Sequence, residues 1–120
     1  MASDVPRTPE VLQDDLEVYT EEVAICIRAC QDSKFSRSLR RSGDEILIHE
    51  LRKVKGQLKT CHDNLLKLQQ SIDSGIDWKK PFPQIPLRER YTWADHAYML
   101  VRGAAYCVYL FEELERRFRE

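Results

Sequence analysis

Eight apolar residues between positions 47 and 72 follow one another in alternating steps of four and three without interruption. This spacing keeps one face of an α-helix apolar along its whole length, and such a face is stable when it packs against other helices. The pattern therefore predicts a long amphipathic helix over about residues 43–73 in an all-α protein. Its apolar residues are Leu47, Leu51, Val54, Leu58, Cys61, Leu65, Leu68 and Ile72.

The same spacing predicts two further helices, over about residues 9–31 and 93–118. In the first, the apolar residues are Leu12, Leu16, Tyr19, Val23, Cys26 and Cys30. In the last, they are Trp93, Ala97, Leu100, Ala104, Cys107, Phe111, Leu114 and Phe118. We expect three long antiparallel helices in one helical-bundle domain that covers residues 1–120. Apolar stripes do not reveal whose helix covers them, so completion of the bundle by homo- or hetero-oligomerisation stays open.

Capping sequences mark the expected ends of these helices. The first follows a threonine and begins with Pro9, and proline is favoured at a first helical position. Ser42 with Glu45, and Thr92 with Asp95, have the spacing of capping boxes, in which each side chain bonds the backbone amide of the other residue. Gly75 can adopt the left-handed conformation that ends many helices.

Three segments are expected to lie outside the helices. Residues 1–7 form a flexible N-terminus, and the basic, serine-rich residues 33–41 connect the first two helices. Residues 74–92 contain three prolines, which favour an extended path. Because Trp78 and Phe82 would be costly to leave in water, this proline-rich connection is predicted to wrap over the bundle.

The net charge of −1 conceals an uneven distribution along the chain. Residues 1–32 carry eight acids against two bases, whereas residues 33–92 carry thirteen bases against seven acids. We expect the first two helices to neutralise each other, or their charges to be solvated. The N-terminal residues do not resemble a signal peptide, and no apolar stretch is long enough to span a membrane. Four cysteines within apolar stripes indicate free thiols and an intracellular location, cytoplasmic or nuclear.

The last predicted helix is apolar on nearly all sides between residues 97 and 111. Two neighbouring helices cannot easily cover such a surface, which predicts an interface with another copy or with a different protein. Small residues at its centre would allow a second helix to approach closely. The residues predicted to bind the partner are Trp93, Tyr98, Leu100, Gly103, Ala104, Tyr106, Tyr109 and Phe111.

A nucleic-acid-binding protein is the alternative prediction. Basic residues are concentrated in the first connection and along the second predicted helix, and a basic stripe is the usual footprint of phosphate binding. The candidates are Lys34, Arg37, Arg40, Arg41, Arg52, Lys53, Lys55 and Lys59. A solvated or internally paired charged face would give the same pattern.

The sequence shows no phosphate-binding loop, nucleophile elbow or zinc-protease motif, so we expect a non-enzymatic protein without a cofactor or small-molecule substrate. We also expect no metal site, because the predicted topology separates the thiols of Cys26 and Cys30 from Cys61 and His62. Arg90, His96 and Tyr98 form an R-x5-H-x-Y run of about nine residues, which resembles the R-x4-6-H signature of HEPN-domain ribonucleases. That resemblance implies a third function, RNA cleavage, with a histidine acid or base and an arginine that stabilises the phosphorane.

Overall fold

The computed structural model describes residues 9–31, 33–83 and 91–119, of which residues 33–36, 118 and 119 are described by their backbone alone. Four helices account for most of these residues, and the only β-type pairing described is an isolated bridge between Pro81 and Thr92. The prediction of an all-α protein is therefore confirmed. The helices are α1 (Pro9–Gln31), α2 (Ser33–Ser42), α3 (Glu45–Asp73) and α4 (Trp93–Arg119).

The predicted connection at 33–41 is wrong, because these residues form helix α2. Leu39 is buried against the core and gives this short helix an anchor. Arginine is a good helix former, so four serines do not prevent the helix. The sequence contained one signal for it: Phe35 and Leu39 are four residues apart, the spacing of one helical turn.

The predicted capping box of Ser42 and Glu45 is wrong, because a different residue caps α3 in the turn between α2 and α3. Asp44 is the N-cap of α3, and its carboxylate accepts a hydrogen bond from the backbone N–H of Leu47 at 3.1 Å. The Ser42 hydroxyl instead donates to the carbonyl of Leu39, within the last turn of α2. Gly43 has a φ of 69°, so it ends α2 in the left-handed conformation and does not begin α3.

The other predicted helix ends agree with the structure. Thr92 and Asp95 form the expected box, in which the N–H of Asp95 donates to the Thr92 hydroxyl at 3.2 Å and the N–H of Thr92 donates to the Asp95 carboxylate at 3.0 Å. Gly75 follows α3 with a φ of 90°. Thr8, the expected cap of α1, lies outside the described residues.

Apart from Phe118, whose side chain lies outside the description, the residues of the predicted apolar stripes form the core or pack against it. Within the described residues each long helix contacts both of the others, and all three contribute buried side chains to one cluster. Gln69 of α3 lies against Thr20 of α1, with 3.3 Å between amide and hydroxyl. Ala24 and Lys59 line a common depression nearer the other end of these helices. Successive residues of α1 therefore meet progressively earlier residues of α3.

Helix α4 meets α3 in the same opposed sense. The sulfur atoms of Cys61 and Cys107 are 3.4 Å apart near the middle of the two helices. Further along, the Arg117 guanidinium forms an ion pair with Glu50 at 2.9 Å. One face of α4 is thereby turned inward between α1 and α3, and the opposite face is turned to solvent.

The described part of the proline-rich connection packs against the start of α4. Phe82 is buried and Trp78 is half-buried against the core. The backbone N–H groups of Trp93 and Ala94 donate to the carbonyls of Lys80 and Trp78, each at 3.1 Å. These bonds satisfy two amides that the first turn of a helix otherwise leaves without partners. Residues 84–90 lie outside the described residues.

Candidate functional site

The outer face of α4 carries the largest group of aromatic side chains exposed in the described residues. Tyr106 is 61% exposed and Tyr109 is 55% exposed, and Tyr98 and Met99 are exposed as well. The guanidinium carbon of Arg102 lies 5.7 Å from the centre of the Tyr98 ring, a cation–π distance. We call this surface the outer face and define it by Tyr98, Met99, Arg102, Ala105, Tyr106 and Tyr109.

The structure divides the eight residues predicted to bind a partner. Tyr98, Tyr106 and Tyr109 belong to the outer face, whereas Ala104 and Phe111 are 0% and 4% exposed within the core of this chain. Burial therefore assigns the last two side chains to packing within one copy. A large residue at position 104 would disrupt the bundle itself, so such a variant cannot report on an interface.

The three remaining predicted residues are half-buried and have different surroundings. Trp93 contacts the edge of the Phe82 ring, with the centroids 5.0 Å apart, and Leu100 packs against the core. At Gly103, a Cβ atom would meet nothing within 4 Å. Within one chain, therefore, no neighbouring helix approaches so closely that this glycine is required.

A groove between α3 and α4 borders the outer face on one side. Its volume is about 390 Å³, and it joins apolar side chains of α4 to charged side chains of α3. The residues that line it include Glu50, Lys53, Gln57, Tyr106, Leu110 and Arg117. Tyr106 thus stands at the junction between the outer face and the groove.

Most of the predicted nucleic-acid-binding residues are at the surface. Lys55 is half-buried, and the side chain of Lys34 lies outside the description. Those of Arg37, Arg40, Arg41, Arg52, Lys53 and Lys59 are exposed. Among the described residues, no ion pair within 4 Å joins an acid of α1 to a base of α3.

His96 is held at the start of α4 by two aromatic residues of the preceding segment. Its ring stacks on Phe82 with 3.8 Å between the centroids, and its Nδ1 atom lies 3.0 Å from the Tyr91 hydroxyl. Burial lowers the pKa of His96 from its ordinary value near 6.5, because the charged imidazolium loses hydration. Arg90, the other residue of the HEPN-like spacing, lies outside the described residues.

The four cysteines are free thiols and form two sets. Cys26 and Cys30 lie one turn apart on α1, and burial raises the pKa of each to about 11. Cys61 and Cys107 face each other across α3 and α4. The sequence could not reveal this second pair, because the contact depends on the alignment of two helices distant along the chain. No cluster of metal-binding side chains occurs among the described residues.

Comparison with known proteins found no relative of this chain. The chain matches no protein family, no curated protein and no solved structure. Nor is any of the described helices long and apolar enough to cross a membrane.

Proposed function

We propose that this chain is an antiparallel helical bundle whose function is to bind a second copy of itself through the outer face of α4. The single observation that carries the proposal is the alignment of Tyr98, Tyr106 and Tyr109 on one exposed side of a helix whose opposite side is buried. Tyrosine contributes a large apolar ring and a hydroxyl at low entropic cost, which is why it is enriched at interfaces.

A second copy suits this face because the face is complementary to itself. A two-fold axis that crosses α4 between Ala105 and Tyr106 would set Arg102 of one copy opposite Tyr109 of the other. An arginine over a tyrosine ring is a favourable cation–π pair. The same axis would set Asp95 opposite Arg116, so opposite charges would meet at both ends of the paired helices.

The size of the face sets the expected affinity. Residues 95–116 span about 30 Å of helix at 1.5 Å per residue. One pair of helices buries less surface than the roughly 800 Å² per partner of a standard interface. We therefore expect a reversible dimer with a dissociation constant on the order of 10 μM.

Sedimentation velocity over a wide range of protein concentration tests this proposal. The wild-type chain should pass from monomer to dimer, and Tyr106→Ser/Tyr109→Ser should remain monomeric with unchanged circular dichroism. Val18→Ser/Ile25→Ser is the matched control, because it removes two exposed apolar side chains from α1. A wild-type chain that stays monomeric up to about millimolar concentration would exclude the second copy and leave a different protein as the occupant.

A charge-reversal cycle tests the antiparallel orientation. The proposed axis sets Glu112 of one copy about one turn from the position opposite Arg102 of the other. Arg102→Glu and Glu112→Arg should each weaken the dimer, because each brings like charges together. The double variant should recover most of the affinity. If the double variant is weaker than both single variants, the pairing is not the one proposed.

The exposed basic residues of α2 and α3 support a second candidate, nucleic-acid binding. Arg37, Arg40 and Arg41 are exposed at spacings of three and four on α2, and Lys55 and Lys59 of α3 lie close enough to Cys30 to lower its pKa against the larger effect of burial. Binding to a single-stranded oligonucleotide should weaken steeply with salt and be lost in Arg37→Glu/Arg40→Glu/Arg41→Glu. Association through tyrosines should change little over the same salt range.

A further inference from the structure

Cys61 and Cys107 are the only two thiols that the described residues bring into contact from different helices. Their sulfur atoms are 3.4 Å apart, although the residues are 46 positions apart in the chain. A disulfide bond requires about 2.05 Å between the sulfurs. The two sulfurs are therefore about 1.4 Å farther apart than in a disulfide bond.

The two thiols differ in their exposure. Cys107 is 7% exposed, and the side chain of Cys61 is half-buried. A reagent in solution therefore reaches Cys61 more readily than Cys107. Burial raises the pKa of Cys107 to about 12, and its hydrogen bond with Cys61 acts in the same direction. Cys107 is thus protonated at neutral pH in the folded, reduced chain.

Cys26 and Cys30 provide an internal comparison. Both are buried on α1, with exposed fractions of 5% and 3%. A small disulfide in solution has no route to either sulfur while the bundle is folded. Reactivity toward such reagents follows thiolate character and access, so these two thiols should be inert under conditions that oxidise the other pair.

We propose that Cys61 and Cys107 form a redox-active pair that a low-molecular-weight disulfide converts into a reversible cross-link between α3 and α4. First, the Cys61 thiol loses its proton and attacks one sulfur of the small disulfide, whose S–S bond breaks and releases one small thiol. Cys107 then loses its proton and attacks the Cys61 sulfur of the mixed disulfide, which releases the second small thiol. Two protein thiols are oxidised, one small disulfide is reduced, and the two protons end on the two released thiols.

The cross-link has a measurable consequence for the bundle. It joins two helices separated by the whole proline-rich connection, and closing a long loop restricts the unfolded chain strongly. The oxidised chain should therefore melt on the order of 10 °C above the reduced chain. Addition of dithiothreitol should return the melting temperature to its original value.

The experiment uses the wild-type chain with oxidised glutathione at neutral pH. Intact mass should fall by two hydrogen atoms without a retained glutathione adduct. A peptide map under non-reducing conditions should join the peptide of Cys61 to that of Cys107, with Cys26 and Cys30 still free. A stable adduct on Cys61, a link that involves Cys26 or Cys30, or no reaction of the folded chain would each overturn the proposal.

Three variants identify which thiols take part and in what order they react. Cys107→Ala should retain one glutathione on Cys61, because the resolving thiol is gone. Cys26→Ala/Cys30→Ala should form the cross-link like the wild type, which shows that the other thiols take no part. Should Cys61→Ala accept glutathione on Cys107 as readily, attack would not begin at Cys61 and the proposed order would be wrong. Circular dichroism before oxidation checks that each variant is folded.

Discussion

The two faces of α4 both carry large apolar groups, yet only one of them is buried in this chain. The inner face combines Ala97 and Ala104 with Phe111 and Leu114, all of which are buried between α1 and α3. The outer face has three tyrosines, whose hydroxyl groups can stay hydrated while the rings remain exposed. Hydrophobicity alone therefore does not separate a core face from a surface face on this helix.

The largest expected effect contrasts Phe111 with Tyr109. Phe111→Ala should lower the free energy of unfolding by about 3–5 kcal/mol, because it leaves a cavity in the core. Tyr109→Ala should change it by less than about 1 kcal/mol, since the ring is already mostly in water. Urea denaturation at a concentration where the chain is monomeric measures both. Equal losses would mean that the two faces are not distinct in the way described.

A smaller effect is expected at Gly103, which lies between the two faces. Gly103→Ala should raise the free energy of unfolding by up to about 1 kcal/mol, because alanine favours the helix and its Cβ would meet no neighbour. The same denaturation experiment measures this gain in stability. Sedimentation velocity on the variant then shows whether it still forms the dimer. A stability gain with lost dimerisation would show that a second copy packs closely at this glycine, as the sequence suggested. An unstable monomer would contradict the open space seen here.

The smallest effect concerns pH and the side of α4 that faces the proline-rich connection. The folded pKa of His96 lies below its unfolded value, so the unfolded chain binds more protons between these two values. Stability from this residue is complete above about pH 6.5 and is lost as the pH falls through the folded pKa. Melting curves from pH 7.5 to 5 should show this decline in the wild type and a weaker one in His96→Phe. Identical pH profiles would mean that the burial of His96 does not cause the loss of stability at low pH.

The sequence predicts most of the fold because its strongest signals are local. The apolar spacing of Leu47 to Ile72 and the Thr92–Asp95 box need only one helix each to be recognised, and both agree with the structure. Helix α2 was missed since a ten-residue helix presents too few apolar residues for a periodic pattern. The sequence predicts Ser42 as the cap of α3, whereas the structure has Asp44 in this position. Serine and aspartate are both favoured caps, so residue type alone does not distinguish the two.

The candidate site was less predictable, because it depends on which neighbours cover each residue. Tyr98 and Phe111 are both aromatic residues of one helix, and only the packing of α1 and α3 distinguishes them. The Cys61–Cys107 contact depends on helix alignment in the same way. The self-association of the outer face and the binding of nucleic acid by the basic residues of α2 and α3 stay predictions until they are measured.

The bonds from Trp93 and Ala94 to the carbonyls of the preceding segment have a consequence for the dynamics of α4. Helix ends normally fray, because their first amide groups exchange with water at little cost in free energy. Here the first turn opens only if residues 78–80 separate from it. Its amide protons should therefore exchange with deuterium as slowly as those of the helix interior, so this end of α4 behaves as part of the cooperative unit.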